Sequence, residues 1–553
     1  MAQTNDRILF LSTKPPISSS RDNSADASAK GRGLLRSGAL VGAMTMLSRV
    51  LGLVRDVVMA RVIGADGLAD AFFVAFKIPN FMRRLFAEGA FAQAFVPVLA
   101  EYREKGGQEA VKALVDRVAG ALGSVLILLT VLVVAASPLV ATVFAPGFLQ
   151  DEVRFDAASQ MIRITFPYLF FISLTGLAAG ILNSYDRFAI PAFTPVWLNI
   201  CLISACLVGV NWFAEPAYAL AWGVLVAGVV QMLFQLPFLK SIGLLPRPVV
   251  DWQYEGVKKI LRLMGPAIFG VSVSQINLLL DTVIASFLPT GSVSWLYYSD
   301  RLSELPLGVF GVALATVILP SLSRQHARAS AESFSRTLDW AIRMVLLVAV
   351  PAMIALVLIA EPILITLFYD GVQIDRRDIF MSSASLTAYA CGLIAFMLIK
   401  VLAPGFYARQ DTRTPVRIGV IAMVANMVMN IIFVLIAHNL WQIGHVGLAA
   451  ATSLAAYLNA YLLYRSLRRE EVYRPLPGWR KFAAQLSFAN MAMVVVILSF
   501  LYFFNRWYHW GIAERALWLA GLCCSGAMTY GLALLAVGMR PRDLRSGRGG
   551  CSE

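Results

Sequence analysis

Residues 120–144, "GALGSVLILLTVLVVAASPLVATVF", run for twenty-five positions without one ionisable side chain. A helix needs about 20 apolar residues to cross roughly 30 Å of hydrocarbon, so this stretch is long enough to span a bilayer. "RMVLLVAVPAMIALVLIAEPILITLF" at 343–368 and "MAMVVVILSFLYFF" at 491–504 read the same way. None of them shows the period-two alternation of a membrane barrel strand, and helices satisfy their own backbone in oil, so the spans are helical. A chain with 58% hydrophobic and only 14% charged residues is too apolar for a soluble multidomain protein. The expected fold class is an all-α polytopic membrane protein.

Working outward, fourteen spans are predicted, near 35–61, 68–102, 115–145, 157–184, 190–213, 217–240, 256–288, 293–323, 337–368, 380–407, 415–437, 446–466, 481–505 and 514–538. The net charge of +14 is spread over short loops between spans rather than gathered on a soluble face, which argues against nucleic acid as partner. With the N-terminus inside, the inner loops collect Arg103, Lys105, Lys112, Arg117, Arg187, Arg247, Lys258 and Lys259, and later Arg324, Arg409, Arg413, Arg468 and Arg480. The outer loops hold little beyond Arg154, Arg376, Arg377 and Arg506. This asymmetry places both termini in the cytoplasm. Residues 1–34, rich in Ser, Asp and Lys, are expected to be a disordered cytoplasmic tail or an overextended start, and 539–553 a second cytoplasmic tail.

The sequence also repeats itself. "DVVMA" at 56–60 matches "DTVIA" at 281–285, Lys77 falls opposite Arg301, and "FVPVLAEY" around Pro97 matches "ILPSLSRQ" around Pro320. "YDRFAIP" ending at Pro191 matches "RQDTRTP" ending at Pro415, and "ALAWGVLVAGVVQ" at 219–231 resembles "GLAAATSLAAYLN" at 447–459. The shifts are 225, 224, 223, 224 and 228. Two six-helix repeats follow, 35–240 and 256–468, joined by a cytoplasmic linker at 241–255 and enclosing a central cavity. An additional two-helix hairpin, 479–538, has no counterpart and packs outside them.

Several charges lie inside the spans. Residues 7, 14 and 18 apart share a helix face, which aligns Asp70, Lys77, Arg84 and Glu88, with Arg83 about 100° away. Arg49 and Asp56 share a face by the same seven-residue spacing, Arg55 adjoins Asp56, and "SVSWLYYSDRLSELP" carries Ser294, Asp300, Arg301 and Glu304. An ionised group at the bilayer centre costs roughly 2.5–3.5 kcal/mol even on the mild insertion scale. The charges therefore either pair or snorkel at helix ends, or they face a wet cavity, and the cavity is the reading taken forward. Cations outnumber acids there, and most are arginines, whose planar fork suits phosphate and carboxylate oxygens. The expected guest is an anion.

Asp281, with Asn426, Asn430 and Thr452, offers oxygens suited to a monovalent cation; the competing reading is an Asp held protonated or bonded to Asn. Lys400 has two placements, the interface or the cavity. The six cysteines show no metal spacing and the four histidines are scattered, so a metal centre or histidine enzyme is not expected. No nucleotide-binding motif occurs, so ATP is not the direct energy source.

The strings "SRVLGLVRDVVMARVIG", "DAFFVAFKIPNFMRRLFAEGAFAQAFVPVLAEY", "FGVSVSQINLLLDTVIASFL", "GSVSWLYYSDRLSELPLGVFGVALATVILPSLS" and "KVLAPGFYARQDTRTPV" resemble the MurJ (MviN) family of lipid II flippases, within the multidrug/oligosaccharidyl-lipid/polysaccharide exporter superfamily. The resemblance runs from about residue 36 to 538. It implies a transporter rather than an enzyme, sited in the bacterial inner membrane. It would flip undecaprenyl-diphosphate-linked disaccharide peptide outward by alternating access, for peptidoglycan synthesis and cell shape. The substrate-binding residues it implies are Arg49, Arg55, Asp70, Arg83, Arg84, Glu88, Ser294, Asp300, Arg301 and Glu304, with Lys77 added by its place on the stripe. It further implies that the hairpin forms a groove for the lipid tail, and Asp281 fits the family's sodium site, so that the group of Asp281, Asn426, Asn430 and Thr452 read above is the candidate sodium site, with no other cofactor expected. A monomer working beside cell-wall synthesis machinery is expected. Two alternatives stay open on the same fold, a flippase for another polyprenyl-diphosphate oligosaccharide and a drug exporter, although exporters of cations want an acidic cavity.

Overall fold

The computed structural model describes residues 20–84, 91–328 and 330–540. Every extended regular element among them is helical. The helices α1 (Ser20–Ile63), α2 (Gly67–Arg83), α3 (Ala92–Ala135), α4 (Ser137–Phe144), α5 (Glu152–Thr165), α6 (Tyr168–Ser184), α7 (Ala189–Leu207) and α8 (Pro216–Ser241) form the first half. The second half contains α9 (Glu255–Ser286), α10 (Ser292–Pro306), α11 (Val312–Ala327), α12 (Ala331–Leu367), α13 (Arg376–Tyr407), α14 (Arg413–Trp441) and α15 (Gly444–Arg469). Two further helices, α16 (Trp479–Phe503) and α17 (Ile512–Ala536), complete the chain.

Ten helical stretches among the described residues, with α5 and α6 counted as one, are long and apolar enough to cross a membrane. The predicted spans outside that set are α1, α2, α9 and the α10–α11 pair, which carry the intramembrane charges. On the apolar helices the outward side chains are large and oily: Val125, Leu128, Val131 and Leu132 on α3, and Val428, Ile431 and Leu435 on α14, are all exposed. In water this would be an aggregation surface; against lipid tails it is the expected exterior.

The two halves repeat the same packing pairs. In the first, α1 packs on α7, α2 on α5, α3 on α6, α6 on α8 and α7 on α8; in the second, α9 packs on α14, α10 on α13, α12 on α13, α13 on α15 and α14 on α15. In the second half α10 and α11 are separated by a π-helical turn at Leu307–Gly311. The hairpin of α16 and α17 lies against α12.

Three expectations need correction. Residues 20–34 are not a disordered tail, because α1 begins at Ser20; alanines there carry little helix cost, and extending a formed helix avoids a new nucleation. The tail before residue 20 and the one after 540 lie outside the described residues. The predicted span 68–102 does not stop at 102: its α3 part continues through Gly107 (φ 67°) into the third span, while residues 85–90, between α2 and α3, lie outside the described residues. Only glycine adopts that angle cheaply, and "GG" at 106–107 marks the bend. The fourth span divides near Pro167 into α5 and α6.

At one end of the molecule the halves meet closely. The Tyr298 hydroxyl donates to the Gly64 carbonyl at 2.6 Å, Arg61 Nη2 to the Leu367 carbonyl at 3.4 Å, and the Gly147 amide to Ser286 Oγ at 3.0 Å. Gly64 has φ 63°, and a Cβ there would lie 2.6 Å from the Gln373 carbonyl oxygen. Backbone therefore apposes backbone across the seam.

Candidate substrate cavity

Between α1, α2 and α7 on one side and α10 on the other lies a cavity of about 490 Å³. Its charged lining is Arg49, Arg55, Asp56, Arg83, Arg301 and Glu304. Both halves thus contribute cations to one space, as expected for a guest gripped from two sides.

The centre of the network is Asp56, which is buried. Its Oδ1 accepts from Arg55 Nε at 2.9 Å, Arg55 Nη2 at 2.6 Å and the Tyr297 hydroxyl at 2.9 Å. Its Oδ2 lies 3.8 Å from Arg301 Nε. Arg55 also donates through Nη1 to Asn199 Oδ1 at 3.1 Å and through Nη2 to the Tyr297 oxygen at 3.2 Å. Asn199 is itself fixed by donating to the Ser48 carbonyl at 3.0 Å. Arg301 donates to Glu304 at 3.3 Å, and its guanidinium carbon sits 5.1 Å above the Tyr297 ring. Its side chain is 33% exposed against 7% for Arg55. Arg55 lines the cavity but makes four hydrogen bonds to Asp56, Asn199 and Tyr297, whereas Arg301 presents more of its charge to the space.

The remaining residues singled out in the sequence divide. Arg49 presses its guanidinium on Gly308 in the π-helical turn, where a side chain would collide with it. Arg83 lines the cavity and its Nε approaches Asn80 Oδ1 at 3.4 Å. Arg84 is exposed beside it, outside the lining, and Asp300 is half-buried on α10, also outside the lining. Lys77 does not reach the cavity: its Nζ donates to Thr282 Oγ1 on α9 at 3.2 Å. Glu88 lies outside the described residues.

Asp70 and Ser294 do not line the cavity either. Asp70 is buried at the start of α10, accepting from the Gly291 amide at 2.8 Å, the Ser294 amide at 2.9 Å and the Ser294 hydroxyl at 2.6 Å. It thereby caps α10 from the other half of the molecule. Gly291, the residue before that helix, has φ 94° and no side chain of its own to cap with. Asp70 was expected in the wet cavity; it is buried instead and answers a helix end rather than a solvated guest.

The second polar group holds Asp281, Asn426 and Asn430. Asn430 Nδ2 donates to Asp281 Oδ1 at 2.6 Å and to Asn426 Oδ1 at 3.1 Å. Asn430 Oδ1 and Thr452 Oγ1 are buried without a hydrogen-bond partner. Thr452 and Asn426 line one pocket of about 330 Å³. One carboxylate with neutral oxygens suits a hard monovalent cation, and no group of three His, Cys, Asp or Glu among the described residues suggests a heavier metal.

Tyr297 and Asn199 had not been marked in the sequence. Asn199 stands inside an apolar span, where a polar side chain is itself a signal. Tyr297 stands one helical turn before Arg301, but nothing in its neighbourhood announces a bond to α1.

A sequence model described as "Lipid II flippase MurJ" matches residues 59–517. The chain belongs to the MurJ family. It is 50% identical over 520 residues to the "Probable lipid II flippase MurJ" of Vibrio cholerae, covering 93% of this chain and 98% of that one. To the "Lipid II flippase MurJ" of Burkholderia cenocepacia it is 44% identical over 464 residues, covering 83% and 89%. Among solved structures it is similar to "Lipid II flippase MurJ, inward closed conformation", with TM-score 0.74 and 26% identity over 92% of this chain and 99% of that one. A multidrug resistance MATE family transporter of the MOP superfamily, inward-facing, matches with TM-score 0.64 at 15% identity over 78% of this chain and 98% of that one, which shows the shared fold. As in those transporters the chain is a multi-pass helical membrane protein, and the MurJ relationship extends along nearly its whole length.

Proposed function

We propose that this chain carries lipid II, the lipid-linked peptidoglycan precursor, from the inner to the outer leaflet of the bacterial cytoplasmic membrane by alternating access, without catalysing a reaction. The observation that carries this reading is the cavity shared by two halves, with Arg49, Arg83 and Arg301 directed at one space. A diphosphate and peptide carboxylates are anions, and guanidinium forks bind both. The excess of cations over acids in the lining disfavours a drug exporter for cations. The polyprenyl tail stays in lipid, with the α16–α17 hairpin as its guide.

Positive-inside loops put both termini in the cytoplasm, which makes the seam at Gly64, Gly147 and Asp70 the outer gate. In that orientation the structure is closed outside, and the cavity lies on the route from the cytoplasm. Two six-helix lobes, 35–240 and 256–468, would rock about it. An inside-negative potential favours outward movement of an anion by roughly 2.3 kcal/mol per charge per 100 mV. Sodium at Asp281, Asn426, Asn430 and Thr452 would bias the lobes; Asn430 would turn its oxygen inward to join the carboxylate. The protein is taken to act as a monomer, near cell-wall synthesis machinery.

The test is complementation. A bacterium depleted of its own lipid II flippase should be kept from lysis by this chain. Lysis despite full membrane abundance would contradict the reading.

A further inference from the structure

Tyr297 is a neutral side chain bonded into the charged centre of the cavity, and it joins both halves there. Its hydroxyl donates to Asp56 at 2.9 Å and accepts from Arg55 at 3.2 Å, both on α1, although Tyr297 belongs to α10. Its ring is stacked 4.1 Å from the Phe73 ring of α2, with an interplanar angle of 24°. On the same helix, one turn further, the Arg301 guanidinium lies over that ring at 5.1 Å. Tyr297 is buried while Arg301 is open to the cavity.

We propose that Tyr297 is a positioning residue for the anion site, with separable duties for its two parts. The ring is a platform. Held against Phe73, it cannot swing, and a guanidinium resting on an aromatic face is attracted to it and loses alternative rotamers. Arg301 is thereby aimed into the cavity before the guest arrives, which lowers the ordering cost of binding. The hydroxyl is a latch. It bonds α10 to the Arg55–Asp56 pair of the other half, so it holds the lobes together in this conformation and is broken when they part at this point. The latch also occupies Arg55, whose Nη2 is shared between Asp56 and Tyr297.

This inference rests on the anion reading of the cavity. The experiment uses the full chain, purified in detergent, with lipid II as the probe, and compares Tyr297→Phe, Tyr297→Leu and Arg301→Ala with the parent. Tyr297→Phe keeps the ring and should bind lipid II more tightly than Tyr297→Leu. Tyr297→Leu removes the platform and should weaken binding about two- to thirtyfold, the range of a cation–π contact. The latch is read separately, by the reactivity of Ser292→Cys toward a water-soluble thiol reagent in a background without other cysteines. Ser292 is buried at the seam, and Tyr297→Phe should raise the reactivity about tenfold, since a lost hydrogen bond to a charged group is of that size.

A packing role alone would lower the yield of Tyr297→Leu while leaving the Kd of folded protein unchanged, and that result overturns the platform. Unchanged Ser292→Cys reactivity in Tyr297→Phe overturns the latch, and it decides the matter even if Tyr297→Leu fails to fold. Arg301→Ala separates the two levels. Parental affinity in Arg301→Ala would contradict the anion reading itself, whereas weakened Arg301→Ala beside parental Tyr297→Leu would contradict only the part given to Tyr297.

Discussion

Arg55 and Arg301 flank the same carboxylate, yet they should fail differently when removed. Arg301 is the cation that the second half presents to the cavity, so Arg301→Ala should abolish flipping at parental abundance. Arg301→Lys should rescue poorly, because an ammonium cannot reproduce the two-pronged contact of a guanidinium. Growth of each variant as the sole chromosomal copy, with protein level followed by blotting, checks this. Arg55→Ala should act through stability instead: it leaves Asp56 buried with fewer partners, a change that costs about 3–5 kcal/mol when a buried ion pair is broken outright and less here, since Tyr297 and Arg301 remain. A lowered thermal midpoint in Arg55→Ala, absent in Arg301→Ala, is the expected contrast. Sequence made these positions visible because an ionised group among apolar ones must answer to something. It did not show what each answers to: the bond from Arg55 to Tyr297 spans 242 residues, and the three bonds that take Asp70 out of the cavity span more than 220.

Helices α10 and α12 show how elements are held by groups far away in the chain. The start of α10 is capped by Asp70, so Asp70→Ala leaves two backbone amides and a hydroxyl unpaired at about 1–3 kcal/mol each. That loss falls only on the conformation closed at this seam. Asp70→Ala should therefore raise thiol reactivity of Ser292→Cys without loss of protein; unchanged reactivity would mean that the cap does not hold the seam. At the other side, Asp339 on α12 accepts from the Tyr473 hydroxyl at 2.8 Å and Trp479 Nε1 at 2.9 Å, with Arg343 paired to it at 2.8 Å. These bonds staple the 470–478 connector that leads to the hairpin. Asp339→Ala should make that connector the first point of cleavage in limited proteolysis, while the lobes stay intact. The all-helical class and the ten apolar spans were legible, because hydrocarbon thickness fixes helix length. The breaks near Pro167 and at Leu307–Gly311 were not, since a continuous apolar run does not record where a helix is interrupted.

The repeat seen at a shift near 224 becomes, in the folded chain, a repeated set of packing pairs, because duplicated apolar faces find duplicated partners. The cavity follows from that arrangement, since charged residues of α1, α2 and α10 meet in one space beside α7. The candidate cation site belongs to the same scale. Lys77 of the first half bonds Thr282, the residue after Asp281, so a cation at Asp281 would press on a contact between halves. Asp281→Asn should transport at a rate indifferent to sodium, and a rate that still rises with sodium would exclude this site. The central claim is that a diphosphate lipid crosses through a cavity lined from both lobes. It is tested most directly by purified protein in vesicles, with lipid II supplied on one face and its arrival on the other scored by a membrane-impermeant reagent. The account predicts translocation by the parent, faster under a potential that draws anions across and lost in Arg301→Ala. Equal translocation by Arg301→Ala and the parent, or none by the parent under any potential, would contradict it.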